Sequence, residues 1–212
     1  MNKILFGGAF AIGALAILWI GRIFLGADTL GLFVTVLIGG VYAIGTWELW
    51  QFRRATSSLQ HALIHVPESI DNLNEWLHSF SPSLQNSVRL RVEGERNGLP
   101  APVLTPYLVG LLVMLGLLGT FIGMVDTLKG AVVALEGSSE LEAIRAGLAA
   151  PIEGLGLAFG TSVAGVAASA MLGLLSTLSR RERLQASYLL DTKAAQELSH
   201  FSSKHQQKLA FQ

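Results

Sequence analysis

The chain has no cysteine among its 212 residues, which excludes disulfides and thiolate metal sites. Charge is scarce as well: 14% of residues are charged, against about a quarter in a soluble domain. Lys plus Arg and Asp plus Glu each number 15, so the formal net charge is zero and the basic footprint of a nucleic-acid binder is missing. The five histidines, His61, His65, His78, His200 and His205, all fall outside the apolar stretches. His61 and His65 share an i, i+4 face that could hold a metal. No Glu stands between them in an H-E-x-x-H arrangement, and a solvated helix face is the expectation. No paired carboxylates, histidine cluster or nucleophile–base set lies within an apolar stretch, so no enzyme activity is expected.

What the chain does have is hydrophobic length, with 51% of residues apolar. Four stretches are long enough for a helix to cross a bilayer, which takes about 20 apolar residues. They are residues 4–25, interrupted by Arg22; residues 29–47, without a charge; residues 103–128, with Asp126 as the single ionisable residue; and residues 154–178, with none. Lys3, the apolar run after it and Ala14-Leu-Ala16 fit a signal peptide. The run continues through Ile17-Leu-Trp-Ile20, so an uncleaved anchor is expected. With the N-terminus placed inside, twelve Lys and Arg fall on the inner side and three (Arg22, Lys129, Arg145) outside, the bias of a cytosolic N-terminus. Trp47 and Trp50 then sit at an inner aromatic belt.

The expected fold is an all-α integral membrane protein with four transmembrane helices and cytosolic helical extensions. It divides into an N-terminal transmembrane hairpin (1–50), a cytosolic helical loop (51–102), a helix pair with an outer amphipathic loop (103–178) and a cytosolic helical tail (179–212). Leu59 and Leu63 suggest that the second span runs on as a cytosolic helix, ended by Pro67. Ile70, Leu73, Trp76, Leu77 and Phe80 recur at helical spacing. Ser81-Pro82 predicts an N-cap with proline at the first helical position, and Asn97-Gly98 a stop; Thr105-Pro106 repeats the start signal. Ser139-Glu-Leu-Glu142 has capping-box form and predicts a short outer helix with Leu141, Ile144 and Leu148 on one face, ended by Pro151.

The last two stretches are rich in small residues. Gly116, Thr120, Gly123 and Thr127 recur at i, i+4, i+7 and i+11, one helix face. Thr161, Gly165 and Ala168 share another, with Ser162, Ser169 and Ser176 beside it. Two readings stand side by side. Gly119-xxx-Gly123, Gly156-xxx-Gly160 and Ala164-xxx-Ala168 are patterns that let membrane helices approach closely, and a membrane Thr or Ser can return its hydrogen bond to the i−4 carbonyl. The same residues would also form a thin polar seam suited to ion passage.

Leu115-Gly-Leu-Leu-Gly-Thr-Phe-Ile-Gly123, followed one span later by Ala158-Phe-Gly-Thr-Ser-Val-Ala-Gly165, resembles the MotA/TolQ/ExbB family, membrane stator subunits that couple ion flow to mechanical work. The similarity covers residues 105–183. Four spans with a long inner loop resemble MotA and the A subunit of the Zorya anti-phage system, whereas TolQ and ExbB have three. The chain also resembles MotA-like bacterial proteins found with an OmpA-like partner. It departs from the pattern in two ways: the inner loop is short for MotA, and Gly165 follows Thr161 by four residues where ExbB-like members have three.

The resemblance implies a homopentameric ring in the bacterial inner membrane, N- and C-termini cytosolic. The ring would surround two single-span B-type partners (MotB/TolR/ExbD-like, including OmpA-like peptidoglycan-binding versions) whose carboxylate carries a proton in preference to sodium. No cofactor is implied. The family's two chamber threonines map to Thr120 and Thr161, with Ser162, Thr127, Gly116, Gly123 and Gly165 completing the pathway seam. Asp126 lies six residues past Thr120, about 240° round the helix, and is either an ion-entry or partner contact or a solvated helix-end carboxylate. The alternative to a motor subunit is a passive membrane scaffold that clusters a partner through its tail.

Overall fold

The computed structural model describes residues 2–26, 29–64, 76–78, 80–93, 98–136 and 141–196, and the side chains of all of these except 2–3, 133–136, 141–154, 156–158 and 196. Five helices are described: α1 (Asn2–Phe24), α2 (Thr29–Ile64), α3 (Pro82–Val92), α4 (Leu104–Glu136) and α5 (Leu141–Gln196). There is no strand among the described residues. Four helices are long and apolar enough to cross a membrane, over Ile4–Phe24, Thr29–Ile64, Leu104–Val132 and Phe159–Ala195. The protein is thus all-helical, with four apolar helices that suggest a multi-pass membrane protein.

The chain forms two compact units, one of Met1–Trp47 with Val103–Ser176 and the other of Glu48–Pro102 with Thr177–Gln212. In the first, α1 closes with a backbone bond from Leu25 N–H to Gly21 carbonyl at 3.1 Å. Gly26 follows at φ 89°, a left-handed conformation that costs glycine nothing sterically. The α2 segment then packs antiparallel to α1. Tyr42 donates to the Phe10 carbonyl at 3.2 Å, and Gly39 and Gly21 face Ile17 and Thr35. Side chains of neighbouring helices fill the remaining glycine gaps: Phe24 and Ile20 of α1 lie against Gly160 of α5, and Leu172 of α5 and Leu108 of α4 against Gly45 of α2.

The second unit has a conventional apolar core. Leu59, Leu63, Trp76, Leu77, Phe80, Leu84, Val88, Val92, Ala186 and Leu190 form one buried cluster. Polar contacts pin its helices. Arg53 grips Glu182 with both arms, Nε and Nη2 each 2.9 Å from a carboxylate oxygen, the bidentate geometry that adds strength and specificity. Arg91 of α3 holds Ser187 at 2.7 Å and Asp191 through Nε at 2.7 Å. Arg183 is only 6% exposed. It donates to Thr56 Oγ1 at 2.9 Å and to the Phe52 carbonyl at 3.2 Å, and its guanidinium lies 4.1 Å over the Phe52 ring.

Several local expectations need correction. Helix α5 runs unbroken through Pro151 from Leu141 to Gln196, so there is no separate outer helix ended there. A proline inside a long membrane helix is tolerated when its neighbourhood re-satisfies the freed backbone groups. Helix α4 starts at Leu104, which puts Thr105 inside the first turn and not at the cap. Pro106 fits because the first four helical N–H groups have no intrahelical acceptor. Helix α3 ends at Val92, not at Asn97-Gly98. Ser81 does occupy the N-cap position before Pro82, with extended backbone but no side-chain cap bond. Its hydroxyl lies 3.4 Å from that of Ser83. Of the Ile70–Phe80 spacing, only Trp76 and Leu77 show a helical turn. Ile70, Leu73, Pro67, His65, Ser139 and the tail beyond Gln196 lie outside the described residues.

Leu84 is fully buried in the second unit's cluster. Leu84→Ala is expected to cost about 2–5 kcal/mol, the usual range for emptying a core leucine site, read as a lowered thermal unfolding midpoint of the purified chain by circular dichroism.

Candidate functional site

The site expected from sequence is the contact of α4 with α5, both of which lie within the first unit over this stretch. A chain of paired positions shows the helices to be antiparallel: Gly116 meets Thr161 and Gly165, Leu112 meets Gly165, and Val109 meets Ser169. The closest approach is backbone on backbone. A Cβ built on Gly165 would lie 2.6 Å from the Leu112 carbonyl oxygen and 2.7 Å from Gly116 Cα; one on Gly116 would lie 3.1 Å from Gly165 Cα. At Gly165 only hydrogen fits, and at Gly116 a methyl group would force the facing backbone to give way by a few tenths of an ångström. Nearby, Thr161 fills the space over Gly119, where a Cβ would meet the Thr161 side chain at 2.6 Å.

Such proximity brings hydroxyls within reach of the opposite backbone. Ser169 Oγ donates to the Val109 carbonyl at 2.9 Å, and Thr161 Oγ1 to the Gly116 carbonyl at 3.4 Å. Thr120 turns back to the same Gly116 carbonyl at 3.1 Å. The two threonines singled out from sequence therefore converge on one oxygen. Interhelical bonds of this kind are worth about 0.6 kcal/mol each in a membrane, up to about 2.

The candidate residues separate into two groups. Gly116, Thr161 and Gly165 are buried between the helices, with Thr161 at 1% exposure. Thr120, Gly123, Thr127 and Ser162 are partly exposed, and Asp126 is exposed. Thr127 donates to the Met124 carbonyl at 2.9 Å. The surrounding outward side chains are apolar: Leu117, Phe121, Val125, Val163 and Val166 are all exposed. On α5, Thr161, Ala164, Ala168, Ser169, Leu172 and Ser176 make one buried face, so of the serines expected beside it Ser169 and Ser176 belong to it, while Ser162 is partly exposed. The Ser169 bond and the Gly116–Gly165 apposition were not anticipated. Spacing marks which residues share a face of one helix; it does not set the register between two.

Chemically the contact around Gly116 and Gly165 is a tightly closed seam whose side-chain polar groups, among the described residues, are hydroxyls, with the exposed Asp126 toward its far end. Among the described residues, no group of three or more His, Asp or Glu side chains is placed to hold a metal. Four apolar helices with a small-residue seam define the class, an all-helical protein of multi-pass membrane type. No protein-family model, curated protein or solved structure matches the chain.

The glycines give a direct test. Gly165→Ala should destabilise the helix pair by about 1–3 kcal/mol, the cost of overpacking a tight contact. Gly110→Ala, where nothing lies within 4 Å, should be neutral or stabilising by about 0.5–1 kcal/mol. Unfolding midpoints of the two variants in detergent should move in opposite directions or differ clearly in size.

Proposed function

We propose that this chain is the A-type subunit of an ion-motive-force-driven membrane motor, resembling the MotA/TolQ/ExbB family. In this reading five copies surround the single-span helices of a B-type partner, and proton flow through the seam drives rotation. The observation that carries it is the pairing of the two motifs: Gly116 and Gly119 of the first lie against Thr161 and Gly165 of the second, and Thr120 and Thr161 meet at the Gly116 carbonyl. A carboxylate that alternates between charged and neutral forms is favoured by donors to its anion and trapped by fixed cations. A wall with hydroxyls and no charge suits it.

The burial of Thr161 refines the division of labour. Thr161 holds α4 to α5, and Thr120, on the partly open edge, is the hydroxyl in reach of a partner. One charge crossing the membrane gains about 2.3 kcal/mol per 100 mV, which supplies the work. Asp126, exposed near the far end of the seam, would meet an entering ion or the partner. The competing reading is a passive scaffold, and the in-chain hydrogen bonds of both threonines favour it to that extent.

Copurification with the product of a neighbouring reading frame tests the assembly: the mass should correspond to five copies of the 22.6 kDa chain plus two partner chains. A monomer or simple dimer excludes the ring. In that complex, Thr120→Val should lower proton flux about tenfold, equivalent to ~1.4 kcal/mol, without changing the mass, and Thr161→Val should affect flux less. Full flux in Thr120→Val would leave the scaffold reading standing. A scaffold would instead lose function on removal of the tail and be indifferent to both substitutions.

A further inference from the structure

The basic residues next to the apolar runs of α2 and α5 are of two kinds. Arg53 and Arg183 point inward and are committed: Arg53 to Glu182, Arg183 to Thr56 and Phe52. Arg54, Arg180 and Arg181 point outward and are exposed. None of these three forms an ion pair with another described residue. Arg54 lies with its guanidinium 5.5 Å from the ring centroid of Trp50, which is itself 48% exposed. Both are turned away from the side of α2 that buries Leu49, Thr56 and Leu59. On α5, Arg180 and Arg181 sit off the buried face of Ser179, Arg183 and Ala186.

These residues lie at one height. Arg53 faces Glu182 while Phe52 and Thr56 face Arg183, so α2 and α5 run parallel here. Positions 180 and 181 are thereby level with positions near 51 and 52, and Trp50, Arg54, Arg180 and Arg181 fall within about one helical turn, ~5.4 Å. The apolar runs stop just before this level in both helices, at Trp47 and Leu178. Among the described residues, the carboxylates at this height are Glu48 and Glu182; both are partly buried, and Glu182 is held by Arg53.

We infer that Trp50, Arg54, Arg180 and Arg181 form a rim that binds the headgroups of anionic phospholipids. The charge complementarity is one-sided: three outward guanidiniums, and no outward carboxylate among the described residues at that level. Guanidinium planes match phosphodiester oxygens two at a time, and an indole placed where the hydrocarbon ends occupies the interfacial zone that tryptophan favours. Arg54, its guanidinium 5.5 Å from the Trp50 ring centroid, keeps its charge at that zone. The inference rests on the multi-pass reading of the four apolar helices and is independent of motor function.

The test uses the full chain, equilibrated in mixed micelles of phosphatidylglycerol and phosphatidylcholine and weighed with its retained lipids by native mass spectrometry. The wild-type protein should retain phosphatidylglycerol over phosphatidylcholine by roughly fivefold or more, given the attraction of each basic residue to an anionic surface. The triple variant Arg54→Gln, Arg180→Gln, Arg181→Gln should bring the ratio close to one with oligomeric mass and helical circular dichroism unchanged. A control with Arg89→Gln and Lys129→Gln, which removes charge elsewhere, should keep the preference. The inference is overturned if the wild type shows no preference, if the triple variant keeps it, or if the control loses it equally. It is also overturned if the triple variant falls apart into smaller species, which would assign the rim to carboxylates of another chain.

Discussion

The backbone approach of Gly116 to Gly165 is the constraint from which the rest of the membrane-type unit follows. Two helices can bring their backbones this close only where neither carries a Cβ at the contact. Once they do, hydroxyls on α5 reach carbonyls on α4, and the antiparallel register is fixed at Thr161 and again at Ser169. Hydrocarbon provides no hydrophobic drive to press apolar helices together, so packing and hydrogen bonds of this kind must supply the specificity. The same solution recurs around the unit. Phe24 meets Gly160, Leu172 meets Gly45 and Thr161 meets Gly119. In each case a side chain on one helix enters the gap left by a glycine on another.

The second unit follows different rules. Its core is Leu, Val, Trp and Phe drawn from α2, α3, α5 and the Trp76–Phe80 segment, and burial from water is the main drive. Its polar contacts are charged where those of the first unit are neutral. Arg183 is the extreme case: a guanidinium taken out of water with no carboxylate, held by a hydroxyl, a carbonyl and an aromatic face. Its Nη1 has no hydrogen-bond partner among the described residues. Leaving a buried donor unpaired costs about 1–3 kcal/mol, more for a charged group. The surrounding leucines and the Arg53–Glu182 fork therefore have to over-determine the geometry.

Much of this was legible in the sequence, and the boundary of legibility has a physical cause. The four spans, the continuation of α2 and the inward face of α5 follow from composition and helical period, which act within a single element; on α4 only Gly116 of the expected face is buried, and Thr120, Gly123 and Thr127 are partly exposed. Cap and stop signals were less dependable. Pro151 marks a stop in water, yet α5 passes through it; Thr105-Pro106 looks like a cap, yet the helix begins one residue earlier. Both motifs describe how orphan backbone groups are satisfied, and the surroundings can satisfy them in other ways. Pairings between elements were beyond reach. Gly119-xxx-Gly123 announces close approach, but only three dimensions show that Gly116 takes the backbone contact and Gly119 receives Thr161. The arginines near position 180 are equally silent: the sequence lists them together, and the fold sends Arg183 inward and its neighbours outward.

The Gly116 carbonyl connects packing with the proposed chemistry. As a helical acceptor it already serves the backbone N–H four residues on, and it also receives the hydroxyls of Thr120 at 3.1 Å and Thr161 at 3.4 Å. A carbonyl has two lone pairs, and both hydroxyl distances exceed the usual 2.7–2.8 Å of an O–H···O bond. Neither bond is strong. Thr161 cannot leave, because its side chain fills the space over Gly119. Thr120 is partly exposed and can rotate. A carboxylate arriving on a partner helix would offer it a charge-assisted bond about twice as strong as a neutral one, so the exchange runs downhill while the carboxylate is ionised. Once protonated, that group has an O–H donor of its own and only a neutral acceptor to offer the Thr120 hydroxyl, so the charge-assisted gain is gone and the hydroxyl returns to Gly116. In the proposed motor the seam thus grips the charged partner and releases the neutral one, while the glycine contact that holds α4 to α5 stays closed throughout.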